Sequence, residues 1–102
     1  MPEDISLNTG KSMWYSSGMK IRFTRHATRK FAILRDHGVD VSAQQVEQTL
    51  RHPNKVDSVS RSPLIIAQGP FDARRVLRVV YKVEHDTMVV ITFYPGTKSQ
   101  YE

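Results

Sequence analysis

The second half of the chain contains two stretches in which apolar and polar residues alternate. In the first, Arg75 to Glu84, every second residue is apolar; this set is Leu77, Val79, Tyr81 and Val83. In the second, Met88 to Tyr94, the corresponding set is Val89, Ile91 and Phe93. A period of two places successive side chains on opposite faces of a strand, and β-branched residues favour central strands. The pattern predicts two central strands joined by a tight turn at His85-Asp86, with both apolar sets facing the core.

Three shorter stretches have a weaker strand pattern. Lys20 to Phe23 alternates charged with apolar side chains, and Lys55 to Ser60 has only two valines, which suggests an edge strand. Leu64 to Gln68 is more apolar and predicts a more buried strand. We expect Gly69-Pro70 to end this strand and Pro95-Gly96 to end the last one, because proline lacks the N–H that a sheet ladder needs.

Two helices are predicted between the first and second of these strands. Thr24 can cap the first helix and Gly38 can end it, with an apolar stripe at Ala27, Phe31 and Leu34. Ser42 and Gln45 form a capping-box pattern at the start of the second helix, and Pro53 stops that helix. Its apolar stripe is Ala43, Val46 and Leu50.

The order of these elements predicts an α+β fold. The two N-terminal helices need cover for their apolar stripes, so we expect both to pack on one face of a mostly antiparallel sheet of four to five strands. The 102 residues suffice for one domain, which we assign to residues 19–102. Residues 1–18 have little periodicity and are predicted to form a flexible leader. No apolar run approaches the roughly 20 residues of a membrane span, so we expect a cytoplasmic protein with no membrane contact.

The charge of the chain points to an anionic partner. The formal net charge is +5, and the stretch from Lys20 to Arg35 contains no acidic residue. A solvated helix usually mixes both signs, so a run of one sign favours RNA, although a merely soluble basic face is the alternative. The candidate RNA-binding residues are Arg22, Arg25, Arg29, Lys30, Arg61 and Lys82.

A first candidate site lies on the sheet face that the helices are predicted to leave uncovered. Arg78, Thr92 and Tyr94 should emerge there together. A guanidinium offers paired donors to a phosphate, and a tyrosine can stack on a base or transfer a proton. The simpler interpretation is that charged residues only keep this face soluble.

A second candidate is His26, at the junction of the first strand and the first helix. Histidine titrates near neutrality and is the usual general acid or base, although a lone histidine at a helix start is more often a surface group. Metal ligation is not predicted, because the chain has no His-x-x-x-His pair, no carboxylate cluster and no cysteine. A glycine-rich phosphate loop is also absent, so we predict no cofactor.

Four segments resemble a known family. They are Ile21 to Ala27, the end of the second helix from Val46 to Pro53, Leu77 to Tyr81 and Val90 to Tyr94, and the first contains the pattern Phe-x-x-His-Ala. They resemble a family of small prokaryotic and phage domains that begin with this pattern, and that family is similar to the RelE/ParE toxin superfamily. The resemblance covers about Lys20 to Pro95.

The resemblance implies a metal-independent endoribonuclease, the toxin of a toxin-antitoxin pair, in which a ribose 2′-hydroxyl attacks the adjacent phosphate. Arg78 would stabilise the phosphate, Tyr94 would be the late aromatic residue of the sheet, and His26 would be an acid or base. The implied partners are RNA, free or as ribosome-bound mRNA, and an acidic antitoxin protein. Some branches poison gyrase instead. The alternatives that stay open are a non-catalytic domain that binds RNA or protein with the same basic surface, and a subunit that pairs through an exposed sheet edge.

Overall fold

The computed structural model describes residues 19–101, and this part of the chain forms an α+β fold of five strands and three helices, which confirms the predicted class. The predicted leader, residues 1–18, lies outside the described residues. In chain order the elements are β1 (Lys20–Phe23), α1 (Arg25–Asp36), α2 (Ala43–Arg51), β2 (Lys55–Asp57), β3 (Ile65–Pro70), β4 (Arg75–Glu84), β5 (Thr87–Thr97) and α3 (Lys98–Tyr101).

The five strands form one mixed sheet in the order β1-β5-β4-β3-β2. The pairs β2–β3, β3–β4 and β4–β5 are antiparallel, whereas β1 runs parallel to β5. The expectation of a mostly antiparallel sheet therefore missed the parallel edge. The first strand joins the last one of the chain, with both longer helices between them in sequence, and no local pattern in β1 specifies that pairing.

Helices α1 and α2 begin at the predicted caps. The Thr24 hydroxyl accepts a hydrogen bond from the Ala27 N–H at 3.1 Å, and Ser42 and Gln45 form the reciprocal capping box. Both helices contribute to one core with the sheet. Its fully buried members include Ala27, Val46, Leu77, Val79 and Phe93.

A β-bulge in β5 changes which residues of this strand face the core. Val90 pairs with Tyr81 and Thr92 pairs with Val80, so Ile91 is the extra residue of the ladder. The β5 residues in the core are Met88, Val90 and Phe93. The prediction that Val89 and Ile91 face the helices was therefore wrong, because an unbroken period of two cannot describe a strand that contains an extra residue. Val83, also predicted to face the core, is 47% exposed.

Strands β3 and β5 continue through the prolines that were expected to end them. Pro70 pairs with Val76, and Pro95 pairs with Leu77. On their other sides, the pairing of β3 with β2 stops at Gln68, and the pairing of β5 with β1 stops at Val90. Because both prolines have an unpaired side, the missing N–H breaks no ladder hydrogen bond.

The short helix α3 follows β5 directly and was not predicted. It packs against β4 and β5 at Gly96, where the Tyr101 ring lies so close that an added Cβ would stand 2.4 Å from Cε2 of that ring. Among residues 19–101, no helix has the length and apolar character needed to cross a membrane.

Candidate functional site

A row of polar side chains crosses three strands on the sheet face opposite α1 and α2. Arg78 on β4 pairs with Gln68 on β3 and with Tyr94 on β5. Its Nε donates a hydrogen bond to the Tyr94 hydroxyl at 3.1 Å, and its Nη1 donates one to Oε1 of Gln68 at 2.5 Å. Paired positions on neighbouring strands hold their side chains on the same face, so the backbone register fixes this row.

Two further residues complete what we call the Arg78 cluster: Lys55, Gln68, Arg78, Tyr94 and Tyr101. The ring centroid of Tyr101 lies 4.0 Å from Cζ of Arg78, a cation–π contact. The backbone carbonyl of Tyr101 accepts a 2.6 Å hydrogen bond from Nζ of Lys55 and a 3.4 Å bond from Nε2 of Gln68. Helix α3 is therefore held over Arg78 by side chains of the sheet.

An acidic side chain lies on the same face as the cluster. Asp57 on β2 accepts hydrogen bonds from the Ser60 hydroxyl and from the N–H groups of Ser60 and Val59. These bonds, the Ser60 hydroxyl first, and the nearby charge of Arg78 lower the pKa of Asp57 to about 2. Asp57 is a weak base for this reason, and its negative charge balances part of the charge of Arg78.

Two predicted RNA-binding residues lie at the other end of this face, where β1, β4 and β5 meet. The register pairs Arg22 and Lys82 with Val89 from opposite sides. Both bind Glu84, at 3.5 Å from Arg22 and 2.8 Å from Lys82. The hydrogen bond and charge of Lys82, with a smaller contribution from Arg22, lower the pKa of Glu84. One carboxylate is thus shared by two cations, and this end of the face keeps a net positive charge.

The other predicted residues are on the opposite side of the sheet or in a loop. Ala27 of α1 is fully buried against the sheet, and His26, Arg25 and Arg29 are exposed on the same helix. Lys30 is half-buried on α1, and Arg61 lies exposed in the β2–β3 connection. The structure therefore does not bring His26 together with Arg78, because the sheet separates them.

Thr92 is on the same face as Arg78 but does not join the cluster. It pairs with Val80, and its hydroxyl oxygen is buried and forms no hydrogen bond with any of residues 19–101. A buried hydroxyl cannot reach a ligand that approaches from solvent. Of the four residues predicted as catalytic, only Arg78 and Tyr94 are in direct contact.

Sequence reasoning missed Lys55, Gln68 and Tyr101. Gln68 had one usable signal, since it is a polar residue inside an apolar strand and is only 3% exposed. Lys55 was part of the predicted edge strand, but nothing in its neighbourhood singled it out. Tyr101 follows a strand that was predicted to end at Pro95-Gly96, so no element was expected to carry it back to the sheet.

The Arg78 cluster has the donors that a phosphodiester requires. The Arg78 guanidinium contacts the Tyr101 ring. The Lys55 ammonium and the Gln68 amide both donate to the Tyr101 carbonyl. Arginine and lysine bind phosphate oxygens, and tyrosine and arginine stack on nucleobases. The arrangement can bind an anion that carries a flat ring, and it can stabilise negative charge that develops beside Arg78.

Comparisons with protein-family models, curated proteins and solved structures found no match to this chain. The resemblance to the RelE/ParE superfamily therefore stays a prediction from the four sequence segments.

Proposed function

We propose that this domain is a RelE/ParE-like, metal-independent endoribonuclease of the toxin-antitoxin type, which acts on RNA in the cytoplasm. The observation that carries the proposal is the contact of Arg78 with both Gln68 and Tyr94 in one row, with Lys55 beside them. A nuclease of this kind must hold one phosphodiester and stabilise the charge that builds on it. The Arg78 cluster supplies those groups on a single face.

The proposed reaction is an internal transfer within the RNA. The ribose 2′-oxygen attacks the adjacent phosphorus as the bond to the 5′-oxygen breaks, which leaves a 2′,3′-cyclic phosphate and a 5′-hydroxyl. Arg78 stabilises the negative charge on the phosphoryl oxygens, and the ammonium of Lys55 donates a proton to the departing 5′-oxygen. The proton of the 2′-hydroxyl passes to hydroxide from solvent, because Asp57 is a weak base. We therefore expect cleavage to accelerate as the pH rises, because the concentration of hydroxide increases.

The remaining basic residues support binding along a longer ligand. Arg22 and Lys82 extend the positive charge of the Arg78 face and can contact neighbouring phosphates. Arg25 and Arg29 on α1 belong to no ion pair in the described part of the chain, and Ile33 on the same helix is 45% exposed. An acidic antitoxin with some apolar side chains would fit that surface of α1.

The second candidate function is RNA binding without cleavage. One observation favours it: His26, the histidine that the resemblance gives as acid or base, is on the other side of the sheet from Arg78. The same Arg78 face would then bind single-stranded RNA through charge and stacking alone.

The test is RNA cleavage by the purified protein in EDTA, compared with Arg78→Ala and Arg78→Lys. We expect the wild type to give products that end in a 2′,3′-cyclic phosphate, and Arg78→Ala to lose about 100-fold in rate. Arg78→Lys keeps the charge but loses the paired donors and should recover only part of the rate. Circular dichroism and thermal melting check that both variants fold. Cleavage that is unchanged in folded Arg78→Ala rejects Arg78 as the site of the reaction, whereas RNA binding without cleavage by the wild type rejects the nuclease proposal and selects the second candidate.

A further inference from the structure

Helix α3 packs on the sheet at Gly96 through the ring of Tyr101. The ring lies over Gly96, where an added Cβ would stand 2.4 Å from Cε2 and 2.7 Å from Cδ2 of the ring. Real Cβ atoms are never so close to another carbon, so this position of the ring requires glycine. The opposite partner of Gly96 across the strand pair is Val76, two residues before Arg78. Gly96 and the Arg78 guanidinium are therefore adjacent parts of one surface.

The side chains that hold α3 in place are the ones that, in the proposed function, bind RNA. Arg78 stacks on the Tyr101 ring at 4.0 Å, and Lys55 binds the Tyr101 carbonyl at 2.6 Å. Gln68 makes a longer, 3.4 Å contact with that same carbonyl. A nucleotide would present the same two features to these side chains: its base would stack on Arg78 as the Tyr101 ring does, and a phosphate oxygen would accept from Lys55 as the Tyr101 carbonyl does. RNA and α3 cannot occupy these groups at the same time.

Helix α3 is small enough to be displaced. It spans four residues, one turn, so its own backbone hydrogen bonds contribute little stability. Lys98 and Tyr101 are half-buried, and none of the four residues of α3 is fully buried. Its attachment depends on the ring contact, on the two bonds to the Tyr101 carbonyl, and on one backbone bond of 2.9 Å from the Lys98 N–H to the Arg74 carbonyl. Segments with so few anchors open at a small free-energy cost compared with the core.

We propose that α3 is an internal competitor of RNA, in which Tyr101 occupies the position on Arg78 that a nucleotide takes when it binds. The inference rests on the proposed function, since it assumes that RNA binds at the Arg78 cluster. It adds that the site is covered in the free protein and that binding requires α3 to leave. A substitution that removes the Tyr101 ring should therefore strengthen RNA binding.

The test measures binding of a short, single-stranded 2′-O-methyl RNA, which cannot be cleaved because its 2′-oxygens are blocked. Fluorescence anisotropy compares the wild type with Tyr101→Ala and with the matched control Tyr101→Phe. We expect Tyr101→Ala to bind about 10-fold more tightly, since the cation–π contact that competes with RNA is lost. Tyr101→Phe keeps the ring on Arg78 and should bind as the wild type does.

A second variant, at Gly96, removes the Tyr101 ring from Arg78 without changing Tyr101 itself. Gly96→Ala introduces a Cβ that expels the ring but leaves Arg78, Lys55 and Gln68 unchanged, so it too should strengthen binding. The double variant Gly96→Ala with Tyr101→Ala should bind no more tightly than Tyr101→Ala alone, because both remove the same contact. Equal or weaker binding by both folded single variants overturns the proposal. Weaker binding by Tyr101→Ala alone also overturns it and makes Tyr101 a residue that stacks on RNA.

Failure of this inference can be told apart from failure of the proposed function. The unmodified RNA of the same sequence is incubated with the wild type in EDTA in parallel. Cleavage by the wild type, together with no gain in binding by either variant, rejects only the internal competitor. Absence of both cleavage and binding in every protein rejects the proposed function itself, and the internal competitor with it.

Discussion

The Arg78 Nε donates a 3.1 Å hydrogen bond to the Tyr94 hydroxyl, between residues that are partners in the β4–β5 ladder. Their meeting depends on the bulge at Ile91. Val90 faces the helices, and an unbroken alternation would place Tyr94, four residues later, on that same side. The extra residue reverses the alternation, so Phe93 enters the core and Tyr94 meets Arg78. The irregularity of β5 is thus what creates the contact.

Tyr94→Phe tests the contribution of this hydrogen bond. The substitution keeps the ring but removes the oxygen that accepts from Arg78. We expect the free energy of unfolding to fall by about 1 kcal/mol, as measured by urea denaturation, because the half-buried guanidinium loses a partner. The rate of RNA cleavage should fall as well. Tyr101→Phe is the control, since the Tyr101 hydroxyl forms no hydrogen bond in the described part of the chain. An equal loss of stability in both variants would show that the Arg78 contact has no special role.

His26→Ala should leave RNA cleavage nearly unchanged. His26 is exposed on α1, on the opposite side of the sheet from the Arg78 cluster, so it cannot reach a phosphodiester bound there. We expect a rate within about threefold of the wild type, the range of ordinary surface substitutions. The measurement is the cleavage assay in EDTA at pH 7. A loss as large as that of Arg78→Ala would move the reaction to the α1 side and contradict the assignment of the site.

Asp57→Asn should change how stability depends on acid. The pKa of Asp57 is about 2 in the folded protein, below the ordinary aspartate value of 3.8, so its carboxylate stabilises the fold above pH 3.8. That stabilisation is lost as the pH falls from 3.8 toward 2. Asparagine keeps an oxygen for the N–H groups of Val59 and Ser60 but cannot ionise. We expect urea denaturation of the variant to show a smaller decrease in stability across this interval.

The wild type and the variant must be compared over the whole interval, because Asp72 and Glu84 also have lowered pKa values and lose stability in acid. Both proteins keep those two groups, so the difference between the two pH profiles isolates Asp57. Parallel profiles from pH 5 to 2 would contradict the assigned pKa.

Local sequence patterns predicted the positions of the strands and helices well, and the pairing of the strands less well. The strands Lys20–Phe23 and Arg75–Glu84 have the predicted limits, because alternation of side chains is a property of the strand itself. The bulge at Ile91 has no such signature, since one extra β-branched residue looks like any other strand residue. The parallel pairing of β1 with β5 joins segments more than sixty residues apart and depends on the whole fold.

The candidate site was predictable only in part for the same reason. Arg78 and Tyr94 were expected on one face, and they are in contact there. The expectation assumed an unbroken β5, which put Met88 and Val90 on that face as well, where they are not found. His26 was grouped with Arg78 by chemistry and by resemblance, and neither of these reports on which side of the sheet a residue lies. The place of Tyr101 in the site could not be predicted without the path that the chain takes after β5.

Binding of RNA at Arg78 can be followed directly through the NMR signal of the side-chain Nε–Hε group of this residue. The signal is assigned by its disappearance in Arg78→Lys, and the uncleavable 2′-O-methyl RNA is then titrated into the wild type. We predict that the Arg78 signal shifts in proportion to binding, because its bonds to Tyr94 and the stacked Tyr101 ring are altered. Shifts of the Arg25 and Arg29 signals with an unchanged Arg78 signal would place the RNA on α1 and contradict binding at Arg78.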